Sequence, residues 1–262
     1  MIKIETGRRE FDEFYPKIKS FLEKDTLDLV IDGRKIRGYR SPDSRAIWIR
    51  DHSDMFRGFR YFETDLKSAV EHFAETQAAN GRIFDYFTAF PEKLPCEKEN
   101  WNKYVRVPVE ADVEFRFVKA VYLAWQTTGD DEWLERMIPH LEKALAYITT
   151  HPWRWESSLG LVKRPYTIDT WDFAYTAGRH EWLQFQIDDD TFWGIMHGDN
   201  SGYYEAFEIM SRFCEYFGNA LQAEEWKKRA LELKRKMNEI CWNGRFYTHF
   251  VKLTPVEIPG VD

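Results

Sequence analysis

The sequence predicts a mainly α fold in which helical hairpins are arranged in two layers, preceded by a short β-hairpin near the N-terminus. Long segments with apolar residues at helical spacing predict the helices. A glycine followed by an acid or amide residue recurs where two such segments meet, which is typical of one helix ending and the next beginning. An Asp-Gly pair between two short apolar runs predicts the hairpin. No low-complexity linker interrupts the 262 residues, so we expect a single domain over 1–262.

The first forty residues predict a helix followed by a β-hairpin. We expect an amphipathic helix over 8–23 because apolar residues recur there at helical spacing. A β-hairpin over 27–40 follows, because Asp32-Gly33 favours a type I′ turn between two apolar runs. The apolar positions of the predicted helix are Phe11, Phe14, Ile18, Phe21 and Leu22.

The rest of the chain predicts helices that pair into hairpins. The first helix of each pair is aromatic and nearly apolar, whereas the second is charged on one face, which indicates an inner buried layer and an outer amphipathic layer. The segment 151–198 is irregular and long enough to hold a functional site. In all we expect about seven helices. Those after the β-hairpin include 64–79 (ended by Asn80-Gly81), 111–128 and 131–150 (separated by Gly129-Asp130), and 202–217 and 221–241 (separated by Gly218-Asn219).

Composition excludes several classes of protein. With 37 Lys plus Arg against 44 Asp plus Glu, the net charge is −7, which argues against a nucleic-acid binder. No apolar run approaches the length that crosses a bilayer, and the N-terminal segment lacks a secretory signal, so we expect a cytoplasmic protein without membrane contacts. The histidines and cysteines show no metal-ligand spacing, and no phosphate-binding or serine-nucleophile motif occurs, so no metal or cofactor is expected. The three cysteines, Cys96, Cys214 and Cys241, are expected to be free thiols.

The first candidate site is the segment IWIRDHSDM, which contains Trp48, Arg50 and Asp51. An Arg-Asp pair beside an aromatic ring can hydrogen-bond neighbouring hydroxyl groups while the ring stacks on the apolar face of a sugar. The alternative is an ion pair at a helix terminus beneath a core tryptophan.

The second candidate is the segment KRPYTIDTWDF, in which Asp169 and Asp172 bracket Trp171. A carboxyl group packed against an aromatic ring has a raised pKa because it is desolvated, and a general acid for glycosidic cleavage requires such a pKa. The alternative is an N-cap and a first-turn acid on a helix that starts near Thr170.

Two further acidic segments are weaker candidates. RVPVEADVEF carries Glu110, Asp112 and Glu114 as candidate site residues, with first-turn acids favoured by the helix dipole as the alternative. MHGDNSGYYEAF carries Asp199 and Asn200, which could form a polar rim that binds hydroxyl groups or a capped helix start.

Taken in order, these segments resemble the six-hairpin glycosidases. IWIRDHSDM, RVPVEADVEF, a helix ending in TGD, IDTWDF and a helix pair closing on ICWNGRFY follow the same order over roughly 45–250. These are the (α/α)6-toroid enzymes related to glucoamylase, trehalase, the glucosidases of glycoside hydrolase family 63 and the amylo-α-1,6-glucosidase part of glycogen debranching enzymes. The resemblance implies a partial (α/α)6 toroid whose substrate is a carbohydrate, such as an oligosaccharide or an α-glucan.

The resemblance also implies roles for individual residues. Enzymes of this family invert, so one carboxyl group protonates the leaving oxygen and a second, about 6.5–9.5 Å away, activates water on the opposite face. The family's Trp-Asp-Phe segment carries the general acid, which falls on Asp172. Sugar contacts in the −1 subsite fall on Arg50 and Asp51 with Trp48 nearby, Asp169 and Trp171 shape the subsite, and Asp112 lines the cleft.

The family pattern places the general base beyond the last residues of this sequence, so we expect the toroid to be incomplete at its C-terminus. A complementary chain or a homo-oligomer would then complete it. Two other functions stay open on the sequence. One is a non-catalytic carbohydrate-binding or assembly subunit with the same fold. The other is a toroid sugar epimerase, which would need paired catalytic histidines that the sequence does not show.

Overall fold

A computed structural model describes residues 5–89, 104–107, 109–165, 187, 189 and 191–254. This part of the chain is mainly α-helical, with several small antiparallel sheets. The helices are α1 (Arg9–Asp12), α2 (Phe14–Lys24), α3 (Ile49–Phe59), α4 (Ser68–Glu75), α5 (Val113–Thr128), α6 (Asp131–Thr150), α7 (His197–Tyr216) and α8 (Ala220–Cys241). None of the described helices is both long enough and apolar enough to cross a bilayer.

The strands are short and pair antiparallel in four small sheets. The strand orders are β1-β2, β3-β4-β5, β6-β7 and β8-β9-β10, with β9 central in the last. The strands are β1 (Thr26–Ile31), β2 (Arg34–Tyr39), β3 (Ala46–Trp48), β4 (Tyr86–Thr88), β5 (Tyr104–Val105), β6 (Trp155–Glu156), β7 (Leu161–Val162), β8 (Arg164–Pro165), β9 (Trp193–Met196) and β10 (Phe250–Lys252).

The N-terminal predictions are confirmed. Helices α1 and α2 together cover the predicted helix, and Glu13 between them keeps right-handed helical angles, so the two run as one nearly continuous helix. The hairpin β1-β2 turns at Asp32 and Gly33, which have φ values of 51° and 80°. Positive φ at both turn residues defines the type I′ turn expected from Asp-Gly.

The helices form two layers. Helix α5 packs against α3 on one side and α7 on the other, while α6 and α8 pack against α5 and α7, respectively. Gly129, at φ 62°, ends α5, and the Asp130 carboxylate accepts the Trp133 N–H at 3.0 Å and so caps α6. Asn219 caps α8 in the same way. The hairpin punctuation predicted from the sequence is therefore confirmed at both places.

Two helix boundaries differ from the prediction because a glycine serves a tertiary contact there. Helix α4 ends before Thr76 rather than at Asn80-Gly81. A Cβ on Gly81 would lie 2.1 Å from the Lys143 carbonyl oxygen, so the glycine lets this turn approach α6. Helix α7 begins at His197 rather than at Gly202. A Cβ on Gly202 would lie 2.5 Å from the Phe115 ring, so this glycine lies inside α7 at its contact with α5.

The N-terminal ends of α3, α5 and α7 meet at one end of the inner layer. The Tyr203 hydroxyl, one turn into α7, donates to the Ala111 carbonyl oxygen at 2.5 Å just before α5. The strand β3 leads into α3, and the backbone N–H of Ile49 bonds to the carbonyl oxygen of Asp85 before β4 at 2.8 Å. Chain segments that are far apart in sequence therefore converge at this end, and polar side chains from each can meet there.

Candidate functional site

Charged side chains fill the space where the three helix N-termini meet. Four arginines and five carboxyl groups lie there, and all except Arg50 are buried. Burying charges is costly unless they are paired, so the composition of this group is a strong constraint on the fold. We call it the charge cluster, and it comprises Arg50, Asp85, Arg106, Glu110, Asp112, Glu114, Arg154, Arg164 and Asp199.

Arg50 is the member that reaches solvent. It lies in the first turn of α3, and its side chain is 19% exposed. Its Nε and Nη2 donate to the two carboxylate oxygens of Asp112 at 2.8 and 2.7 Å, and Nη2 also donates to Glu110 Oε2 at 2.5 Å. Nη1 makes no hydrogen bond to a residue that the structure describes. The guanidinium is thus fixed by two carboxyl groups and keeps one nitrogen for another partner.

Asp112 is held as a carboxylate by this contact. It occupies the N-cap position of α5, yet its side chain caps no backbone N–H and turns to Arg50 instead. Arg116 adds a second ion pair at 3.5 Å. Burial alone would raise the pKa of Asp112, but the charge and hydrogen bonds of Arg50 outweigh it and keep this pKa well below its ordinary value.

Glu110 is fully buried, and its pKa shifts in the opposite direction. Its Oε2 lies between Arg50 and Arg164, 3.7 Å from Arg164 Nη2, while its Oε1 is buried without a hydrogen-bond partner among the described residues. Burial raises the pKa of Glu110 to about 8, against the pull of the two arginines and with help from the Asp112 and Asp85 charges. A proton on Glu110 leaves four carboxylates to balance four arginines.

The inner side of the cluster supports the start of α5. Arg106 Nη1 donates to Glu114 Oε1 at 3.1 Å and to the Ile83 carbonyl oxygen at 2.9 Å, and Nη2 donates to the Glu110 carbonyl oxygen at 2.8 Å. Asp85 accepts the Val107 N–H. Burial raises the pKa of Asp85 to about 6 despite Arg106 nearby. These contacts fix the backbone that carries Glu110, so that carboxyl group is rigidly positioned.

The third side of the cluster joins β8 to α7. Arg164 Nη1 lies 3.5 Å from Asp199 Oδ1, and burial raises the pKa of Asp199 against the charge of Arg164. The neighbouring Asn200 has a structural task, because its amide group bonds to the Val162 N–H and carbonyl oxygen at 2.9 and 3.0 Å. The expectation of a capped helix start is therefore wrong, since neither side chain caps α7.

The aromatic partner expected beside Arg50 lies at the end of β3. Trp48 is partly buried, and its ring stands 4.1 Å from the Tyr86 ring at 42°. Both rings pack on a small separate cluster with Ala46 and Val105. Asp51 follows Arg50 in the first turn of α3 and is also partly buried.

Replacing Glu110 by glutamine tests whether Glu110 is protonated in the folded protein. Between its ordinary pKa of 4.5 and about 8 the folded protein holds a proton that the unfolded chain has lost. The contribution of Glu110 to the free energy of unfolding is therefore full below pH 4.5 and is lost as pH rises to about 8, by about 1.4 kcal/mol per unit. We expect Glu110→Gln to match the parent protein near pH 5 and to be roughly 3–4 kcal/mol more stable relative to it at pH 8, measured by urea unfolding.

The matched control is Glu135→Gln, on the exposed face of α6. The difference in the free energy of unfolding between this variant and the parent protein should not change with pH. The shifted pKa of His52 affects parent and variant alike and largely cancels in each difference. A Glu110→Gln difference that is equally flat would show that Glu110 is ionised at neutral pH.

The structure brings together two of the predicted site residues and adds others. Arg50 and Asp112, which are 62 residues apart in sequence, form a bidentate pair. Trp48 and Asp51 flank Arg50 along the chain. Sequence reasoning missed Arg106 and Arg164, although both lie in segments that were singled out for their acidic residues, RVPVEADVEF and KRPYTIDTWDF. The predicted residues Asp169, Trp171 and Asp172 lie outside the described residues.

Comparisons of the sequence with protein-family models and with curated proteins find no match. Within the described ranges, no group of three or more His, Cys, Asp or Glu side chains is arranged to hold a metal ion. In the charge cluster the carboxyl groups face arginines instead.

Proposed function

We propose that the chain is a glycoside-hydrolase-like module of the (α/α)6-toroid class that hydrolyses an α-glycosidic bond with inversion. The substrate is an oligosaccharide or an α-glucan, and Asp172 is the general acid. The resemblance of the ordered motifs to the six-hairpin glycosidases is the source of this assignment. The described geometry adds support at the sugar-binding side of the site.

The observation that supports the proposal best is the state of Arg50. Its guanidinium is fixed by Asp112 and Glu110, is partly exposed, and keeps Nη1 available. A donor fixed in this way loses little conformational entropy when it binds a sugar hydroxyl group.

The charge cluster suits a sugar site for a second reason. Glu110 Oε1 is a buried oxygen without a hydrogen-bond partner among the described residues, and such groups usually have a ligand or a water molecule as partner. In the protonated state Glu110 can both donate and accept a hydrogen bond. Of these two groups only Arg50 is exposed, so a sugar hydroxyl group would meet the guanidinium while the neutral acid holds it from behind.

In the proposed reaction, separate residues bind the sugar and transfer the proton. Arg50 and Asp51 hold the sugar of the −1 subsite, with the Trp48 ring beside its apolar face. Asp172 gives its proton to the leaving oxygen, and Asp169 and Trp171 shape its surroundings, since contact with an aromatic ring keeps a carboxyl group protonated. A second carboxyl group, which we leave unassigned, activates water on the opposite face.

The second candidate is a carbohydrate-binding or assembly subunit that keeps the sugar site without turnover. The observation that favours it is the mutual pairing of Arg50, Asp112 and Glu110. A site built on this pairing would bind a sugar whether or not a reaction follows. Both candidate functions are compatible with a complementary chain or a second copy that completes the toroid.

Hydrolysis and binding measured side by side test the proposal. Maltose, isomaltose and trehalose are each incubated with the protein, and proton NMR follows the first anomer released. We expect the glucose whose anomeric carbon is attacked to appear as the β-anomer from one of the three sugars, because inversion at an α bond gives the β-anomer, while the other glucose leaves with its own configuration. Titration calorimetry with the same sugars runs in parallel. Binding without release favours the second candidate. Release of two α-glucose molecules from trehalose, or of the non-reducing glucose of maltose or isomaltose as the α-anomer, contradicts inversion, and neither binding nor release removes both candidates.

A further inference from the structure

The N-terminal helix exposes an apolar face that the described residues leave uncovered. Four large apolar side chains on α1 and α2 are between 36% and 61% exposed. No residue of α1 or α2 is fully buried. A row of exposed aromatic side chains on a soluble protein usually marks an interaction site. The four residues are Phe11, Phe14, Ile18 and Phe21.

The spacing of these residues is that of a coiled-coil seam. Steps of three, four and three residues place them at successive a and d positions of a heptad. The adjoining e positions are Tyr15 and Leu22, which attach the helix to the protein body. The Tyr15 ring lies 5.1 Å from Phe62, and Leu22 packs on the core. The helix is therefore anchored along one edge and presents the seam beside it.

We infer that α1 and α2 pair antiparallel with the same helix of a second copy of this chain, about a two-fold axis near Pro16. The seam is symmetric about that residue, so Phe11 meets the partner's Phe21, and Phe14 meets the partner's Ile18. Such an isologous contact requires a self-complementary pattern. Each copy buries the same four side chains, so no other protein is needed to cover this face.

The charges beside the seam favour this orientation. Glu10, Lys17 and Lys24 occupy the g positions, which face each other across an antiparallel pair. Antiparallel pairing places Glu10 beside the partner's Lys24 twice, whereas in a parallel pair Glu10 and Lys17 would face the uncharged e residues of the partner and form no ion pair. The Lys24 ammonium group already lies over the Phe21 ring, 5.5 Å from its centre, at the edge of the seam. The one unfavourable contact is between the two Lys17 side chains near the axis.

The area of the seam determines how strongly we expect the two copies to associate. Burial of the exposed parts of four such side chains covers about 400 Å² per copy, about half of what a stable complex buries on each side. We therefore expect a weak dimer with a dissociation constant of about 100 µM.

Sedimentation velocity between 5 and 500 µM tests the dimer. We expect the sedimentation coefficient to rise with concentration in the parent protein and to stay at the monomer value in Phe14→Asp. Leu221→Asp is the control, because Leu221 is 88% exposed on α8 and the variant has the same net charge. It should associate like the parent. Parent protein that stays monomeric at 500 µM would overturn the inference, as would association that Phe14→Asp leaves intact.

Reciprocal charge changes test the orientation. Glu10→Lys and Lys24→Glu should each weaken association about threefold to fivefold, since each creates two repulsive contacts. The double change should restore the parent value. A double variant that is as weak as the singles would contradict antiparallel pairing.

Disulfide trapping gives an independent measure of the register. Residues 10 and 24 are about 21 Å apart along one helix, so cysteines at both positions can bridge only between copies. Under mild oxidation, Glu10→Cys combined with Lys24→Cys should give a covalent dimer on a non-reducing gel. Neither single variant should do so beyond the parent level. A dimer band of equal strength in a single variant would contradict the register.

Discussion

Replacing Arg50 by methionine is expected to lower the free energy of unfolding by about 3–5 kcal/mol, because removal of one partner from a buried ion pair leaves the other uncompensated. Methionine keeps the length of the aliphatic stem, so little packing is lost. Since Glu110 retains its proton, the cost falls on Asp112, a carboxylate held ionised chiefly by Arg50. Chemical denaturation at pH 7 measures the effect.

Three comparisons isolate the lost ion pair. Arg57→Met changes the same residue type on the exposed side of α3, where the side chain is 62% exposed, and should cost no more than about 0.5 kcal/mol. Adding Asp112→Asn to Arg50→Met should recover part of the loss, since no bare carboxylate then remains. The loss should also shrink toward pH 4, where Asp112 takes up a proton. A loss that is independent of pH and of Asp112 would point to packing instead.

Replacing Asp172 by asparagine is expected to lower turnover about a thousandfold while sugar binding persists, if the proposed hydrolase activity is found. Removal of a general acid typically costs a factor of this order. The loss should depend on the leaving group, because a dinitrophenolate departs without a proton. We therefore expect near-normal turnover of a dinitrophenyl α-glucoside and a large loss with maltose.

Asp189→Asn is the matched control for this experiment. Asp189 carries the same side chain in the same part of the sequence and is exposed, so its replacement should leave turnover within about twofold. Equal loss of activity on both substrates in Asp172→Asn would indicate damage to folding or binding. Near-normal turnover of maltose would remove Asp172 from the mechanism.

Local patterns predicted the secondary structure well where local physics decides it. The Asp32-Gly33 turn and the cap at Asp130 depend on neighbours within three residues, and both are confirmed. The boundaries at Gly81 and Gly202 were wrong because each glycine accommodates a distant segment. A glycine that permits a close approach looks, in sequence, like a glycine that ends a helix.

The site was predictable only in part, for a similar reason. Arg50 and Asp112 stood out because each lies in an unusual motif, although nothing in the sequence showed that they pair. Arg106 and Arg164 were missed because an arginine is normally exposed. Only their carboxylate partners, which come from other segments, allow them to be buried. The raised pKa of Glu110 likewise depends on neighbours that the fold supplies.

The wide separation of the charge cluster's members along the chain has a consequence for biosynthesis. Arg50 gains Asp112 only after 62 further residues have been made, and Arg164 waits for Asp199. A nascent chain that has emerged only as far as β8 would have to dehydrate Arg164 without Asp199, which is unfavourable. We expect this end of the molecule to stay hydrated on the ribosome until α7 emerges, and then to close in one cooperative step.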